Sequence, residues 1–300
     1  MRVTFEQAVL ILKSNNIIAI PTDTVYGLAG CAYSADAVKK IFQTKGRPQN
    51  RPLIVHYGVK PAWERDVIWS QDAELLANRF WPGPLTMILP LRIESPIARE
   101  VTGSSDSLAI RRPKLGQMSE LCDLIGPLAA PSANKYQKLS ATTSEMLHDL
   151  QVPFLDGEEC SVGLESTIID LRSKPYLVQR IGSVTIEELL ATGLHVEMTQ
   201  CESNLPGSGA HYQPNKLLRL DATTVSAGEG VLNFGNSNLV APCSLNLSVN
   251  GNLDEAAFNL YRMLHCLDSY DCTMIAVAPI PNFGAGCAIN DRLQRAARVR

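Results

Sequence analysis

Between residues 37 and 63 the chain has no Asp or Glu, yet it carries Lys39, Lys40, Lys45, Arg47, Arg51 and Lys60. Within this window the run KGRPQNRPLIVH, residues 45–56, sets three cations on a Gly/Pro loop between a helical pattern and an apolar run. Loops at strand ends are where a rigid scaffold holds ligand-binding side chains. Lys45, Arg47 and Arg51 can converge there on a polyphosphate, each Arg through paired N–H donors and the Lys as a point charge. A solvated basic loop has the same composition, so both readings stand at this point.

Three other runs place small polar side chains next to apolar segments: PTDTVYGLAG at 21–30, PSAN at 131–134 and GLEST at 163–167. Hydroxyls and amides at strand ends can read the donors and acceptors of a small ligand. They can equally build turns through side-chain to backbone hydrogen bonds. Arg111 and Arg180 lie on or at the end of apolar runs, with no acid within two residues of either. A buried guanidinium needs an anionic partner, so both read as ligand arginines.

Several chemistries lack their residues. Glu165 is the only acid in its strand, without the paired carboxylates of glycoside hydrolysis. Histidines 56, 148, 195, 211 and 265 are dispersed with no HExxH spacing, which gives zinc no ready site. GxSxG is missing, as are the P-loop and GxGxxG fingerprints of nucleotide binding. What remains is a set of cations, hydroxyls and amides suited to stabilising phosphate charge.

These residues need a scaffold. The 300 residues carry 27 Lys+Arg against 30 Asp+Glu, a net charge of -3, so no global positive field holds nucleic acid. The N-terminal apolar run, residues 8–12, is far shorter than the about 20 residues of a membrane span, and no cleavage site follows it. Eight cysteines without a CxxC pair suggest reduced thiols, and the expected location is cytoplasmic, with no membrane.

Apolar runs at 16–21, 53–57, 85–91, 107–111, 128–131, 166–171 and 176–181 predict strands. Helical patterns fall at 4–14, where Thr4 and Gln7 make a capping box, and at 35–44, 71–80, 117–125 and 143–150. The alternation implies an α/β fold with a mixed sheet. The stretch 199–214 has no periodicity and is rich in Gly, Pro, Ser and Asn, as a linker is. Beyond it, Leu253, Ala256, Ala257, Leu260, Met263, Leu264 and Leu267 predict a helix, 274–278 a strand and 285–297 a last helix.

Taken together, PTDTVYGL, KGRPQNRPLIVH, FWPGPLTMIL, LAIRRP, PLAAPSAN, DGEECSVGLESTIIDL and PGSGAHYQP resemble, in order and spacing, the YrdC-like threonylcarbamoyl-AMP synthases. The likeness covers nearly the whole chain and points to the longer form. It implies a YrdC-like twisted mixed sheet with flanking helices over residues 1–198, a linker at 199–219 and a small Rossmann-like α/β domain at 220–300. The implied reaction joins L-threonine, bicarbonate or CO2 and ATP, with Mg2+ carried by the ATP phosphates, into threonylcarbamoyl-adenylate and pyrophosphate. The product serves modification of tRNA beside the anticodon, so tRNA-modification proteins that receive the adenylate are implied partners, with weak tRNA contact a further one.

By matching position, the resemblance gives Thr24, His56, Arg111, Ser132 and Ser166 to threonine, with Arg111 on its carboxylate. Lys45, Arg47, Arg51, Ser107, Asn134, Thr142, Arg180 and His211 go to ATP, and Lys45 and Arg47 carry the catalytic role. On this reading Arg47→Ala and Arg111→Ala abolish activity and leave the fold intact, and the linker closes over the nucleotide through His211. The chain departs from the family at SANKYQ, residues 132–137, at Arg180-Ile181-Gly182 and in the linker PGSGAHY. Two alternatives stand beside it: a related carbamoyl-adenylate-forming enzyme, and an RNA-binding module whose affinity would depend on salt and ignore threonine.

Overall fold

The computed structural model describes residues 1–60, 62–114, 116–157, 159–199 and 210–298. Among these, eleven strands form a first sheet: β1 (Arg2–Val3), β2 (Ile18–Ile20), β3 (Gly27–Cys31), β4 (Ile54–His56), β5 (Leu85–Pro90), β6 (Ser107–Arg111), β7 (Leu128–Ala129), β8 (Phe154–Leu155), β9 (Thr167–Asp170), β10 (Tyr176–Arg180) and β11 (Val196–Met198). Their order is β1-β8-β2-β3-β7-β4-β6-β5-β9-β10-β11. The sheet is mixed: β4 runs parallel to β6 and β5 to β9, whereas β3 and β4 each pair antiparallel with β7.

The helices of this unit are α1 (Phe5–Lys13), α2 (Ala35–Lys45), α3 (Gln71–Phe80), α4 (Arg99–Thr102), α5 (Gln117–Ile125) and α6 (Ile186–Leu190). Helix α1 opens on the capping box, in which the Thr4 and Gln7 side chains each accept the other's backbone N–H. Helix α2 buries Ala37, Val38, Ile41, Phe42 and Lys45, one stripe at helical spacing. Gly46 ends it at φ +64, a left-handed conformation that releases the chain into the basic loop. Ala8, Leu12, Met118 and Leu121 of α1 and α5 pack with Ile18 and Ile20, while Val38, Ile41 and Leu76 of α2 and α3 share a core with Val55 and Ile110.

A second, four-stranded sheet is formed by β12 (Leu217–Arg219), β13 (Glu229–Asn233), β14 (Ser244–Asn246) and β15 (Met274–Val277), all parallel in the order β12-β15-β13-β14. Helices α7 (Leu253–Ser269) and α8 (Ala285–Ala296) complete it. Strand β12 begins inside the stretch read as a linker, and residues 200–209 of that stretch lie outside the described residues. The two units share one apolar cluster, in which Val25, Leu139, Leu164 and Ile181 meet Leu260, Leu264, Ile289 and Leu293. Gly163, at φ +77, lets the GLEST loop lie against α7: a Cβ there would stand 2.4 Å from Phe258 Cα.

Two local readings change. The helix predicted at 143–150 is one 3-10 turn, Ser144–Leu147. The run 21–30 is only partly a turn, because its Gly-rich half is β3, paired antiparallel with β2. The seven described cysteines are free.

Candidate active site

The parallel pair β4 and β6 ends with His56 opposite Arg111, and both side chains are buried at the carboxyl edge of the sheet. The carboxyl ends of strands are the usual place for a ligand in an open α/β sheet. Around them the chain folds a cavity of about 300 Å³. Thr24 enters it from the β2–β3 connection and Ser132 from the segment after β7. Ser166 enters just ahead of β9 and Arg180 from the end of β10, while Arg47 and Arg51 come from the α2–β4 loop. His211, with Tyr212, reaches it from beyond the undescribed segment. Nine of the sequence-predicted residues thus meet in one place.

At the threonine-assigned end the bonds are short. Arg111 donates from Nη1 to Thr24 Oγ1 at 2.7 Å, from Nη2 to Asp23 Oδ1 at 2.5 Å and from Nε to the Gly83 carbonyl at 3.0 Å. The anionic partner that is absent around Arg111 in sequence is therefore Asp23, so burial of this guanidinium does not by itself require a ligand. Thr22 Oγ1 accepts the Thr24 N–H and lies 3.0 Å from Thr24 Oγ1, which fixes that hydroxyl. Ser166 Oγ is 2.7 Å from Thr86 Oγ1 and accepts from Arg180 Nη2, whose Nε donates to the Ser166 carbonyl.

Four predicted site residues do not line the cavity. Lys45 is buried behind it, donating from Nζ to the Ser132 and Asn134 carbonyls at 2.5 and 2.6 Å, so it shapes the PSAN loop. Its sequence context makes it a loop cation, but its position on the buried stripe of α2 carries it inward. Asn134 sits beside it, its Nδ2 donating to the Lys135 and Lys138 carbonyls. Ser107 opens β6 opposite Pro90, about 13 Å along the strand from Arg111 at the usual rise per residue, and bonds Ser105. Thr142 is fully buried with its hydroxyl on Met146 Sδ.

Electrostatically the cavity is a cation-lined chamber with neutral imidazoles. Burial first, then Arg111, brings the His56 pKa down to about 3. Burial does the same to His211, also to about 3. Nδ1 of each ring is buried, with no hydrogen-bond partner among the described residues. Burial lowers Arg47 to about 10 and pushes Lys45 well below the usual lysine range. Among the described residues, Arg47, Arg51 and Arg180 have no carboxylate at ion-pair distance. Excess positive charge therefore faces the cavity, where an anion would be stabilised far more than in water.

Sequence reasoning missed part of the wall. Glu165 is the floor of the cavity, and its carboxylate accepts from Ser140 Oγ at 2.5 Å, Tyr261 OH at 2.9 Å and Arg292 Nε at 3.0 Å. Burial alone would raise its pKa, but Arg292, Arg180 and the Ser140 hydrogen bond hold it at about 2. Tyr136 and Arg295 also line the cavity. The only sequence signal for the Glu165 cluster was an acid alone in an apolar strand, since Tyr261 and Arg292 come from the other unit.

A larger cavity, about 490 Å³, lies on the other side of the segment around Asp23, lined by Asp23, Glu120 and Glu159 with the single cation Lys114. That charge balance disfavours a polyphosphate, whereas the smaller, arginine-lined cavity favours one. Among the described residues no three His, Cys, Asp or Glu side chains converge on a metal site, and no helix is long and apolar enough to cross a membrane.

Comparison with known proteins gives these features a family. Residues 10–182 match the Sua5/YciO/YrdC family model, described as telomere recombination, and residues 181–298 match the C-terminal domain model of threonylcarbamoyl-AMP synthase. The chain is 31% identical to the threonylcarbamoyl-AMP synthase of Pyrococcus abyssi, over 96% of this chain and 92% of that one. It is 32% identical to that of Bacillus subtilis, over 98% and 93%. The crystal structure of P. abyssi Sua5 in complex with L-threonine superposes with a TM-score of 0.88 at 28% identity, covering 99% of this chain and 96% of that one. Two family models end to end, full-length relatives and a shared fold leave one assignment: the chain belongs to the threonylcarbamoyl-AMP synthases, in their longer two-domain form.

Proposed function

We propose that this cavity makes L-threonylcarbamoyl-adenylate and pyrophosphate from L-threonine, bicarbonate or CO2 and MgATP, for threonylcarbamoylation of tRNA. The observation that carries the proposal is the meeting, in one cavity, of a hydroxyl cluster around Arg111 with three arginines that lack a carboxylate partner among the described residues. Threonine sits at the Thr24, His56, Arg111, Ser132 and Ser166 end. Two N–H groups of Arg111 remain beyond those given to Thr24, Asp23 and Gly83, and they serve the carboxylate. ATP lies across Arg47, Arg51, Arg180 and His211, with Lys45 and Asn134 shaping the loop beneath it.

In this reading the threonine amine bonds to the carbon of CO2 and loses a proton, giving a carbamate. A carbamate oxygen then attacks the α-phosphorus while the bond to the β-phosphate oxygen breaks, and pyrophosphate leaves. No covalent bond to the protein is needed, so catalysis is orientation plus charge neutralisation, where orientation can supply roughly 7–11 kcal/mol. An imidazole with a pKa of about 3 does not hold a proton near neutrality, so His56 lines the threonine end as a neutral ring. Mg2+ arrives on the ATP phosphates as part of the substrate. Bicarbonate as carbon source and transfer of the adenylate to tRNA-modification proteins belong to the same proposal.

The test is pyrophosphate release with ATP, threonine and bicarbonate each omitted in turn. Release that requires all three supports the reading, and release that ignores threonine overturns it. An RNA-only role would give none, with binding that weakens steeply as salt rises.

A further inference from the structure

The C-terminal unit contributes more to this cavity than a cover. Arg295, on α8, lines it with Arg47, Arg51 and Arg180. Its Nε donates to Asp291 Oδ1 at 2.8 Å, one turn earlier on the same helix, while Nη1 and Nη2 have no partner among the described residues. The backbone of Arg295 is tied to the site as well, because its carbonyl accepts the N–H of His211 at 3.2 Å.

The helix is held in register by its neighbour. Arg292 is 1% exposed and reaches across the unit boundary, its Nε 3.0 Å from Glu165 Oε2 and its Nη1 2.6 Å from Asp291 Oδ2. Its guanidinium carbon lies 5.1 Å from the centre of the Tyr212 ring, which itself stands 4.0 Å from that of His211. Asp291 thus joins both arginines, and Glu165 ties the assembly to the cavity floor. Such a buried pair is poor evidence of stability gained over apolar packing, but it specifies one arrangement of two surfaces.

We propose that α8 completes the nucleotide end of the cavity: Arg295 is a direct substrate contact for the ATP phosphates, and Arg292, through Glu165 and Asp291, is the positioning residue that holds it there. The inference rests on the reading of this cavity as an ATP site. An arginine fixed at Nε and open at its terminal nitrogens presents the geometry that binds a phosphate by two parallel hydrogen bonds.

Calorimetric titration of the full-length protein with MgATP, beside steady-state pyrophosphate release, tests this. Arg295→Ala is expected to weaken ATP binding and raise KM for ATP about tenfold, with KM for threonine within about twofold and Tm nearly unchanged, and Arg295→Lys to recover part of the loss. Arg292→Met is expected to raise KM for ATP likewise. That variant removes a buried charge and can fail to fold, so Arg295, 22% exposed against 1% for Arg292, is decisive. Equal ATP affinity in wild type and Arg295→Ala overturns the proposal, as does a loss that falls equally on threonine. ATP binding that depends on Arg295, without pyrophosphate release that needs threonine and bicarbonate, overturns only the functional reading. No ATP binding by the wild type overturns both.

Discussion

Arg111 and Asp23 are 88 residues apart in the chain and 2.5 Å apart in the fold, both buried, with Arg111 in the wall of the arginine-lined cavity and Asp23 in that of the larger one beside it. The pairing joins the end of β6 to the loop after β2, so the site and the sheet are built by the same contact. It changes what a substitution at Arg111 should do.

Arg111→Ala is expected to lose both activity and stability. Sequence alone makes Arg111 a ligand arginine whose removal leaves the fold intact. With Asp23 left buried and unpaired, a loss of about 3–5 kcal/mol is expected instead, visible in urea unfolding. The Asp23→Asn variant, which keeps an acceptor for Nη2, should unfold less readily than Arg111→Ala. Equal stability of wild type and Arg111→Ala would show that the pair is not formed in solution.

Arg47→Ala should behave in the opposite way. Its side chain makes one fixed hydrogen bond, from Nη2 to the Pro52 carbonyl at 3.0 Å, and no ion pair among the described residues. Loss of one charge-stabilising donor group typically costs about 10²–10³ in rate, so kcat/KM should fall by that order with Tm nearly unchanged. A large drop in Tm with activity per folded molecule preserved would make Arg47 structural.

Ser107→Ala and Thr142→Val separate position in the fold from position in a motif. Ser107 stands at the far end of β6 and Thr142 spends its hydroxyl on Met146 Sδ, so neither substitution should shift KM for ATP by more than about twofold. Thr142→Val should cost stability modestly, since it buries a methyl where a satisfied hydroxyl was. A tenfold rise in KM for ATP with Ser107→Ala would mean that the nucleotide extends well beyond the described cavity.

These differences show which parts of the molecule local sequence can carry. Strand β6 and helix α3 fall where their apolar patterns put them, because burial of one face imposes the period. Strand β3 was hidden because Gly27, Ala29 and Gly30 fit against neighbours without an apolar signature, a Cβ on Gly30 meeting Ala37 and Ile17 at 3.2 Å. The inward turn of Lys45 was legible in principle, since Ala37, Val38, Ile41 and Phe42 set a stripe on which it is the next member. The partners of Arg111 and Glu165 were not, because Asp23 and Arg292 lie 88 and 127 residues away. Spacing in one chain says nothing about contacts of that range.

Gly163→Ala should disrupt the seam between the units. At φ +77, with Phe258 Cα 2.4 Å from the added Cβ, the side chain has neither the conformation nor the room. Backbone displacement there moves Leu164 and Glu165, so KM for ATP should rise along with a loss of stability of about 1–3 kcal/mol. Unchanged unfolding in urea would mean that the GLEST loop and α7 do not touch in solution.

Acid should destabilise the protein, and the sign follows from three groups. His56 and His211 are held at about 3 against an ordinary 6.5, so as pH falls through 6.5 the unfolded chain takes up protons that the native state refuses. Stability then declines with falling pH until the native imidazoles titrate near 3. Glu165, held at about 2 against 4.5, adds a second decline as pH falls from 4.5 toward 2. Urea unfolding as a function of pH should therefore show stability dropping first through the histidine window and then more steeply through the carboxylate one. Replacing His56 and His211 by Gln should shrink the first decline, to which the buried His265 also contributes, and leave the second, whereas Glu165→Gln should shrink the second, which Glu229 shares, at the cost of the Arg292 bond across the unit boundary. Stability in the wild type that does not change between 6.5 and 4.5 would mean that both imidazoles are already solvated, and the closed cavity they line would have to be open in solution.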